Sequence, residues 1–302
     1  MADGTSGAAE SDQVVPGAGG GALGALRAGT EFGTFVHAVL ERTDFAAEDL
    51  DATLAGAVDE ELARSGASAE LLAPEGTDGT GLLVAGLRAA VETPLGPLFS
   101  STRLADIERR NRLDELTFDL RLGGGGRHPS VEDLGGLLLE HLTDDDPLRG
   151  WAASVAAGLI DVRLAGYLTG SIDLVARVPN DGGEAFVVAD YKTNRLTPRG
   201  SEPGAADYDE RHMADAMAEH HYPLQALLYG VALHRYLRSR RRDGARPATV
   251  LGAAYLFVRG MTGPPTTPSD GTPHGVFTWW FHEGLLDEAS DLLDGRPPGS
   301  GR

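Results

Sequence analysis

The chain has 302 residues, a formal net charge of −19, and the apolar and charged fractions of an ordinary globular protein, 41% and 24%. It contains no cysteine, which excludes disulfides and thiolate metal sites and fits a cytoplasmic location. No secretory signal or membrane helix is expected from its hydropathy pattern. The acidic charge opposes long-range attraction to nucleic acid, so DNA binding would need a local basic patch, a metal or a partner that delivers the strand.

The first half of the sequence predicts a disordered segment followed mainly by helices. Residues 1–28 are rich in glycine and alanine and are expected to be a disordered N-terminal segment. Apolar side chains then recur with helical spacing, and Ser130 resembles the N-cap of a helix. The elements expected here are helices at 30–41, 48–65 and 80–92, strand structure within 104–122, and a helix at 130–141.

The second half predicts a hairpin followed by mixed elements. Two strand-like runs flank the turn sequence Pro-Asn-Asp-Gly-Gly at 179–183. This order of helices, antiparallel strands and helices indicates an α/β protein with a central mixed β-sheet flanked by helices. We expect one domain at 29–294 and a flexible tail at 295–302. The elements expected here are strands at 163–178 and 184–191, helices at 206–219 and 223–242, strands at 250–259 and 276–281, and a short last helix.

Acidic residues of the hairpin and one lysine carry the chemistry. Lys192 is the only lysine among 26 basic residues, and arginine cannot replace lysine where a compact charge is needed. Because strand side chains alternate, Asp190 and Lys192 should share a face, and Asp173 should point away from Ile172 and Leu174. If the hairpin brings Asp173 beside Asp190, Mg²⁺ would relieve their repulsion. A turn cap at Asp173 and a surface pair of Asp190 with Lys192 remain the alternative.

A metal held there would activate water to attack a phosphodiester, and Lys192 would hold that water or stabilise the developing charge. The segments 170–174 and 190–194 resemble the core of the PD-(D/E)XK nuclease superfamily. More narrowly, they are similar to the C-terminal nuclease domain of RecB subunits of RecBCD helicase–nucleases. The segments 32–37, 222–229 and 234–237 are similar to two helices of that domain.

This resemblance implies a restriction-endonuclease-like core and a catalytic site with one or two Mg²⁺ ions. The metal ligands it implies are the side chains of His37, Asp173 and Asp190 and the backbone carbonyl of Tyr191. Lys192 would be the catalytic lysine. The resemblance also implies that Gln225 and Tyr229, four residues apart on one helix, line the strand path or support the metal site. Glu41, one turn after His37, would orient it or be solvated, and Glu115 receives no role.

The function implied is Mg²⁺-dependent hydrolysis of DNA, preferentially of single strands delivered by a helicase, in double-strand-break repair by homologous recombination. Partners would be DNA, a helicase and RecC- or RecD-like subunits, without a membrane. With one lysine, the chain has no phosphate-binding loop motif, so it is either a fragment or a stand-alone relative. A stand-alone PD-(D/E)XK exonuclease and an inactive nuclease-like scaffold that binds DNA or a partner are the alternatives. The basic run 238–242 either contacts DNA or complements a helix C-terminus.

Overall fold

One mixed sheet of five strands organises the molecule. The computed structural model describes residues 21–68, 73, 76–123, 130–160, 164, 166–180, 183–198, 201–240, 248–264 and 273–300. The strands lie side by side in chain order, and all neighbours are antiparallel except β3 and β4, which are parallel. They are β1 (Arg112–Arg121), β2 (Tyr167–Val178), β3 (Glu184–Lys192), β4 (Ala248–Phe257) and β5 (Val276–Trp280).

Helices cover both faces of the sheet and divide the core into two hydrophobic clusters. One face packs against α1 (Thr30–Arg42), α2 (Leu50–Ser65) and α3 (Gly79–Glu92). The other packs against α4 (Val131–His141), α5 (Arg149–Ala156), α6 (Glu210–Glu219), α7 (Tyr222–Arg240) and α8 (Leu285–Leu293). None of the helices in the described ranges is both long and apolar enough to cross a membrane.

The predicted α/β class with a central mixed sheet flanked by helices is confirmed. The predicted N-cap is present, since the Ser130 side chain accepts a hydrogen bond from the backbone N–H of Asp133. One local prediction was wrong, because residues 104–111 contain 3₁₀ turns instead of strand. Helix α5 lies in a stretch for which no element was predicted. Part of the predicted hairpin turn, 181–182, lies outside the described residues.

The side-chain alternation of β2 breaks at Asp173. Ile172 packs in the cluster on the α7 face, whereas Leu174 packs in the cluster on the α1 face. The prediction that both point away from Asp173 on one side was therefore wrong. On the neighbouring strand, Glu115 has a positive φ of 53°, and the β1–β2 pairing omits it between Asp114 and Leu116. Local distortion of this kind re-aims a side chain beside a site.

Residues 1–28 were predicted to be disordered, but the last part of this segment, from residue 21 onward, packs against the fold. Leu23 and Leu26 are fully buried beside α1 and α3, and residues 22–25 form a 3₁₀ turn. The buried guanidinium of Arg259 donates hydrogen bonds to the backbone carbonyls of Leu23, Leu26 and Arg27. The glycine-rich composition hid these two leucines. At the other end, Arg296 pairs with two aspartates at the end of α8; residues 1–20 and 301–302 lie outside the described ranges.

Candidate active site

Strands β2 and β3 bring two carboxylates and the lysine to one end of the sheet. The antiparallel pairing of β2 with β3 ends where Leu174 faces Ala189, and Asp173 and Asp190 adjoin this last pair. Asp173 Oδ2 accepts a hydrogen bond of 2.9 Å from the backbone N–H of Tyr191. Lys192 Nζ lies 2.7 Å from Asp190 Oδ2. The three side chains therefore lie together at this end of the sheet, where the charge of Asp173 acts on Asp190.

The Asp190 carboxylate is more deeply buried than that of Asp173. It is 3% exposed. Burial raises its pKa to about 6, with the charge of Asp173 adding to the shift and the ammonium of Lys192 opposing it. Its Oδ2 forms an ion pair with the ammonium of Lys192. A further cation at this site would reduce the repulsion that remains between the carboxylates of Asp190 and Asp173.

Helix α1 supplies the imidazole. His37 Nδ1 lies 3.2 Å from Asp173 Oδ2, and its ring meets the ring of Tyr191 edge-on at 6.0 Å. Burial alone would lower the pKa of His37, but the hydrogen bond with Asp173 and the nearby charges raise it overall. One turn earlier, a Cβ on Gly33 would stand 3.1 Å from Thr193 Oγ1. Glycine at this position lets α1 lie close to the end of β3 and so carries His37 to the carboxylates.

Helix α7 contacts the lysine from the opposite face of the sheet. Lys192 Nζ donates to Gln225 Oε1 at 3.2 Å, and Gln225 Nε2 donates to the hydroxyl of Tyr229 at 2.8 Å. Burial raises the pKa of Tyr229, and the charges of Asp190 and Asp173 raise it further. The structure therefore places the predicted glutamine–tyrosine pair next to Lys192.

Sequence reasoning missed two aromatic residues of this site. The rings of Tyr222 and Tyr255 lie 3.8 and 5.1 Å from Lys192 Nζ. Tyr255 is a β4 residue in an apolar run, and only the parallel register, which pairs it with Asp190, reveals its location. Tyr222 belongs to a segment that resembles the family, but its spacing from Gln225 gives no indication of a role.

The two glutamates near the site face each other. Burial raises the pKa of Glu41, and the charge of Glu115 adds to the shift. Both line a cavity of about 710 Å³ that also reaches His37. Three arginines line it as well: Arg42, Arg64 and Arg195. The cavity thus joins a carboxylate-rich region to a cationic one, a combination suited to an anionic chain and a metal ion.

Buried Glu61 fixes two of those arginines. Its carboxylate is 1% exposed and accepts hydrogen bonds from Arg42 at 2.5 Å and from Arg64 at 2.8 and 2.9 Å. These bonds lower the pKa of Glu61 against the effect of its burial. By contrast, Arg238 of the predicted basic run pairs with Asp287 on α8. Arg240 of the same run lies over the ring of Tyr236 at 5.4 Å, and residues 241 and 242 lie outside the described residues.

The donor set fits a hard cation, although its ligands now contact one another. Within the described ranges, no three His, Asp or Glu side chains stand in the arrangement of a preformed metal site. His37 and Asp173 are engaged with each other, and Asp173 also accepts from Tyr191. The two carboxylates nevertheless supply the oxygen ligands that Mg²⁺ prefers, and the imidazole of His37 would be a softer additional ligand. Binding would replace the contact between His37 and Asp173.

Comparisons with known proteins identify the family of this chain. The family model of the PD-(D/E)XK nuclease superfamily matches residues 21–290. RecBCD enzyme subunit RecB of Mycolicibacterium smegmatis is 45% identical over 279 residues, which is 90% of this chain and 24% of that protein. The Escherichia coli subunit of the same name is 30% identical over 268 residues, 88% of this chain and 19% of its own length. The chain thus spans about a quarter or less of these relatives. It belongs to the PD-(D/E)XK nuclease superfamily and is a nuclease domain of RecB type.

Proposed function

We propose that this domain hydrolyses phosphodiester bonds of DNA with Mg²⁺, and that its preferred substrate is a single strand delivered by a helicase. One observation carries the proposal: the buried Asp190 forms an ion pair of 2.7 Å with the only lysine of the chain, and the nearby charge of Asp173 helps to raise its pKa. Nucleases of this superfamily generally use divalent metal ions. Two neighbouring carboxylates, one of them buried, favour the binding of such an ion.

In the proposed reaction, different residues of the chain bind the metal, stabilise charge and position the lysine. One or two Mg²⁺ ions would be held by His37, Asp173, Asp190 and the backbone carbonyl of Tyr191. When bound, the metal supplies an acidified water and stabilises charge on the phosphate. The Lys192 ammonium stabilises the negative charge that develops on the phosphoryl oxygens. Gln225 and Tyr229 hold Lys192 in place instead of binding the metal directly.

Charge distribution favours delivery of the strand by another unit. The net charge of −19 opposes long-range capture of DNA by this chain. The cavity beside His37 nevertheless carries arginines, which provide local phosphate contacts once the strand arrives. We therefore propose that the domain works with a helicase and RecC- or RecD-like subunits in double-strand-break repair by homologous recombination. A cytoplasmic location suits this work and a chain without cysteine.

The test compares the purified full chain with two variants, Asp190→Asn and Lys192→Ala, on a labelled single-stranded oligonucleotide. We expect Mg²⁺-dependent cleavage by the wild type, and a loss of about 100-fold or more in kcat in each variant. Asp215→Asn is the matched control, because Asp215 is exposed on α6 and pairs only with Arg211 in the described structure. Cleavage at wild-type rate by either site variant would contradict the assignment. Faster cleavage of duplex than of single strands would contradict the substrate preference.

A further inference from the structure

The ammonium of Lys192 lies close to the aromatic rings of Tyr222 and Tyr255. Its side chain is 11% exposed. The ring centroid of Tyr222 lies 3.8 Å from Nζ, and that of Tyr255 lies 5.1 Å from it. Both distances are within the range of cation–π attraction, which strengthens where water is excluded. The polar contacts with Asp190 and Gln225 lie beside these rings.

The rings are fixed by their own contacts. Tyr222 and Tyr255 stack on each other with centroids 5.4 Å apart and an interplanar angle of 21°. The single hydroxyl proton of Tyr255 can be donated to the backbone carbonyl of Tyr222 at 2.9 Å or to Gln225 Oε1 at 3.0 Å. The hydroxyl of Tyr222 donates to the side chain of Asn194, two residues after Lys192. These contacts hold the two rings in place beside the lysine.

We propose that Tyr222 and Tyr255 form a tyrosine platform that positions the ammonium of Lys192 for the phosphate. Lysine has a flexible four-carbon stem and no planar fork, so hydrogen bonds alone restrict it poorly. The rings of Tyr222 and Tyr255 restrict the ammonium together with its polar contacts to Asp190 and Gln225. The two tyrosines are positioning residues, because they act through Lys192. The effect of these tyrosines on catalysis rests on the proposed function, whereas their contact with Lys192 does not.

The structural test uses the fact that Lys192 is the only lysine. Labelling the full chain with ¹³C,¹⁵N-lysine gives the NMR signals of one side chain. Ring currents from Tyr222 should shift the ε-methylene protons upfield in the metal-free wild type. We expect Tyr222→Phe to keep this shift and Tyr222→Leu to lose most of it. An unshifted ε-methylene group in the wild type would overturn the platform without any variant.

The functional test measures kcat and KM for Mg²⁺-dependent cleavage of single-stranded DNA. We expect Tyr222→Leu to lower kcat about tenfold with KM nearly unchanged, and Tyr222→Phe to restore it. Tyr236→Leu is the matched control, since Tyr236 is 42% exposed on the same helix. An unchanged kcat in Tyr222→Leu, with its NMR shift lost, would overturn the positioning role. If the wild type does not cleave DNA, the proposed function fails, while the NMR result still decides whether the platform exists.

Discussion

At the scale of single residues, the burial of Asp190 lowers the stability of the metal-free folded state. Its carboxylate is buried beside Asp173, and one ammonium offsets only part of the cost, so its pKa stays near 6. A carboxyl with a raised pKa stabilises the folded state while it is protonated. That contribution is complete below the ordinary value of 3.8 and is lost as the pH rises through about 6.

We predict that Asp190→Asn stabilises the metal-free protein above pH 7. The gain should be at most about 3 kcal/mol, since each pKa unit corresponds to about 1.4 kcal/mol, and it should shrink toward pH 4. Urea unfolding of the protein in EDTA, over a series of pH values, measures it. Asp215→Asn should follow the wild type. A variant less stable than the wild type at neutral pH would contradict the account. Added Mg²⁺ should stabilise the wild type more than Asp190→Asn.

At the scale of elements, β1 carries strain beside the site. Glu115 has a φ of 53° within a strand, a region that costs a residue with a Cβ about 1 kcal/mol or more. It stands on the strand next to Asp173, where the alternation of β2 breaks. The distortion turns the Glu115 carboxylate toward the cavity that holds Glu41 and His37.

We predict that Glu115→Gly is more stable than Glu115→Ala by on the order of 1 kcal/mol, because only glycine adopts this φ freely. Both changes remove the carboxylate, so the difference in stability between the two variants reports the strain of the backbone. The matched control is Thr117, exposed on the same strand and without a positive φ. There, glycine should be less stable than alanine. Denaturant unfolding of the four variants measures both differences, and the same order at both positions would refute the explanation.

At the scale of the whole molecule, one buried arginine connects the beginning of the described chain to the site. Arg259 follows β4, is 2% exposed, and donates to the carbonyl of Thr193, the residue after Lys192, at 2.9 Å. The same guanidinium binds three carbonyls of residues 23–27 and stacks on Phe32 of α1. Burial lowers its pKa to about 10, so it remains charged at neutral pH.

We predict that a chain starting at residue 29 is less stable than one starting at residue 21. Removal of Leu23 and Leu26 loses roughly 2 kcal/mol of burial for each side chain. It also leaves a buried guanidinium without its carbonyl partners. Thermal and urea unfolding of the two chains measure the difference. Equal stability would show that residues 21–28 contribute nothing to the fold.

The sequence predicted the site's charged residues better than their surroundings. Asp173, Asp190 and Lys192 lie on one local hairpin, whose turn residues and acidic positions can be read directly from the sequence. Tyr255 could not be predicted, because the parallel register of β3 and β4 joins segments about 65 residues apart. The break in alternation at Asp173 depends on the backbone of Glu115 in another strand. The buried Leu23 and Leu26 were hidden by a composition typical of disorder.

The parallel pairing of β3 with β4 also bears on the order in which the site assembles. The hairpin that carries the two aspartates closes a short loop, whereas the segment between β3 and β4 contains α6 and α7. Short loops close at lower entropic cost and generally earlier than long ones. We therefore expect the two carboxylates to meet before Tyr255 reaches Lys192. Divalent ions, which reduce the repulsion between the carboxylates, should then accelerate folding.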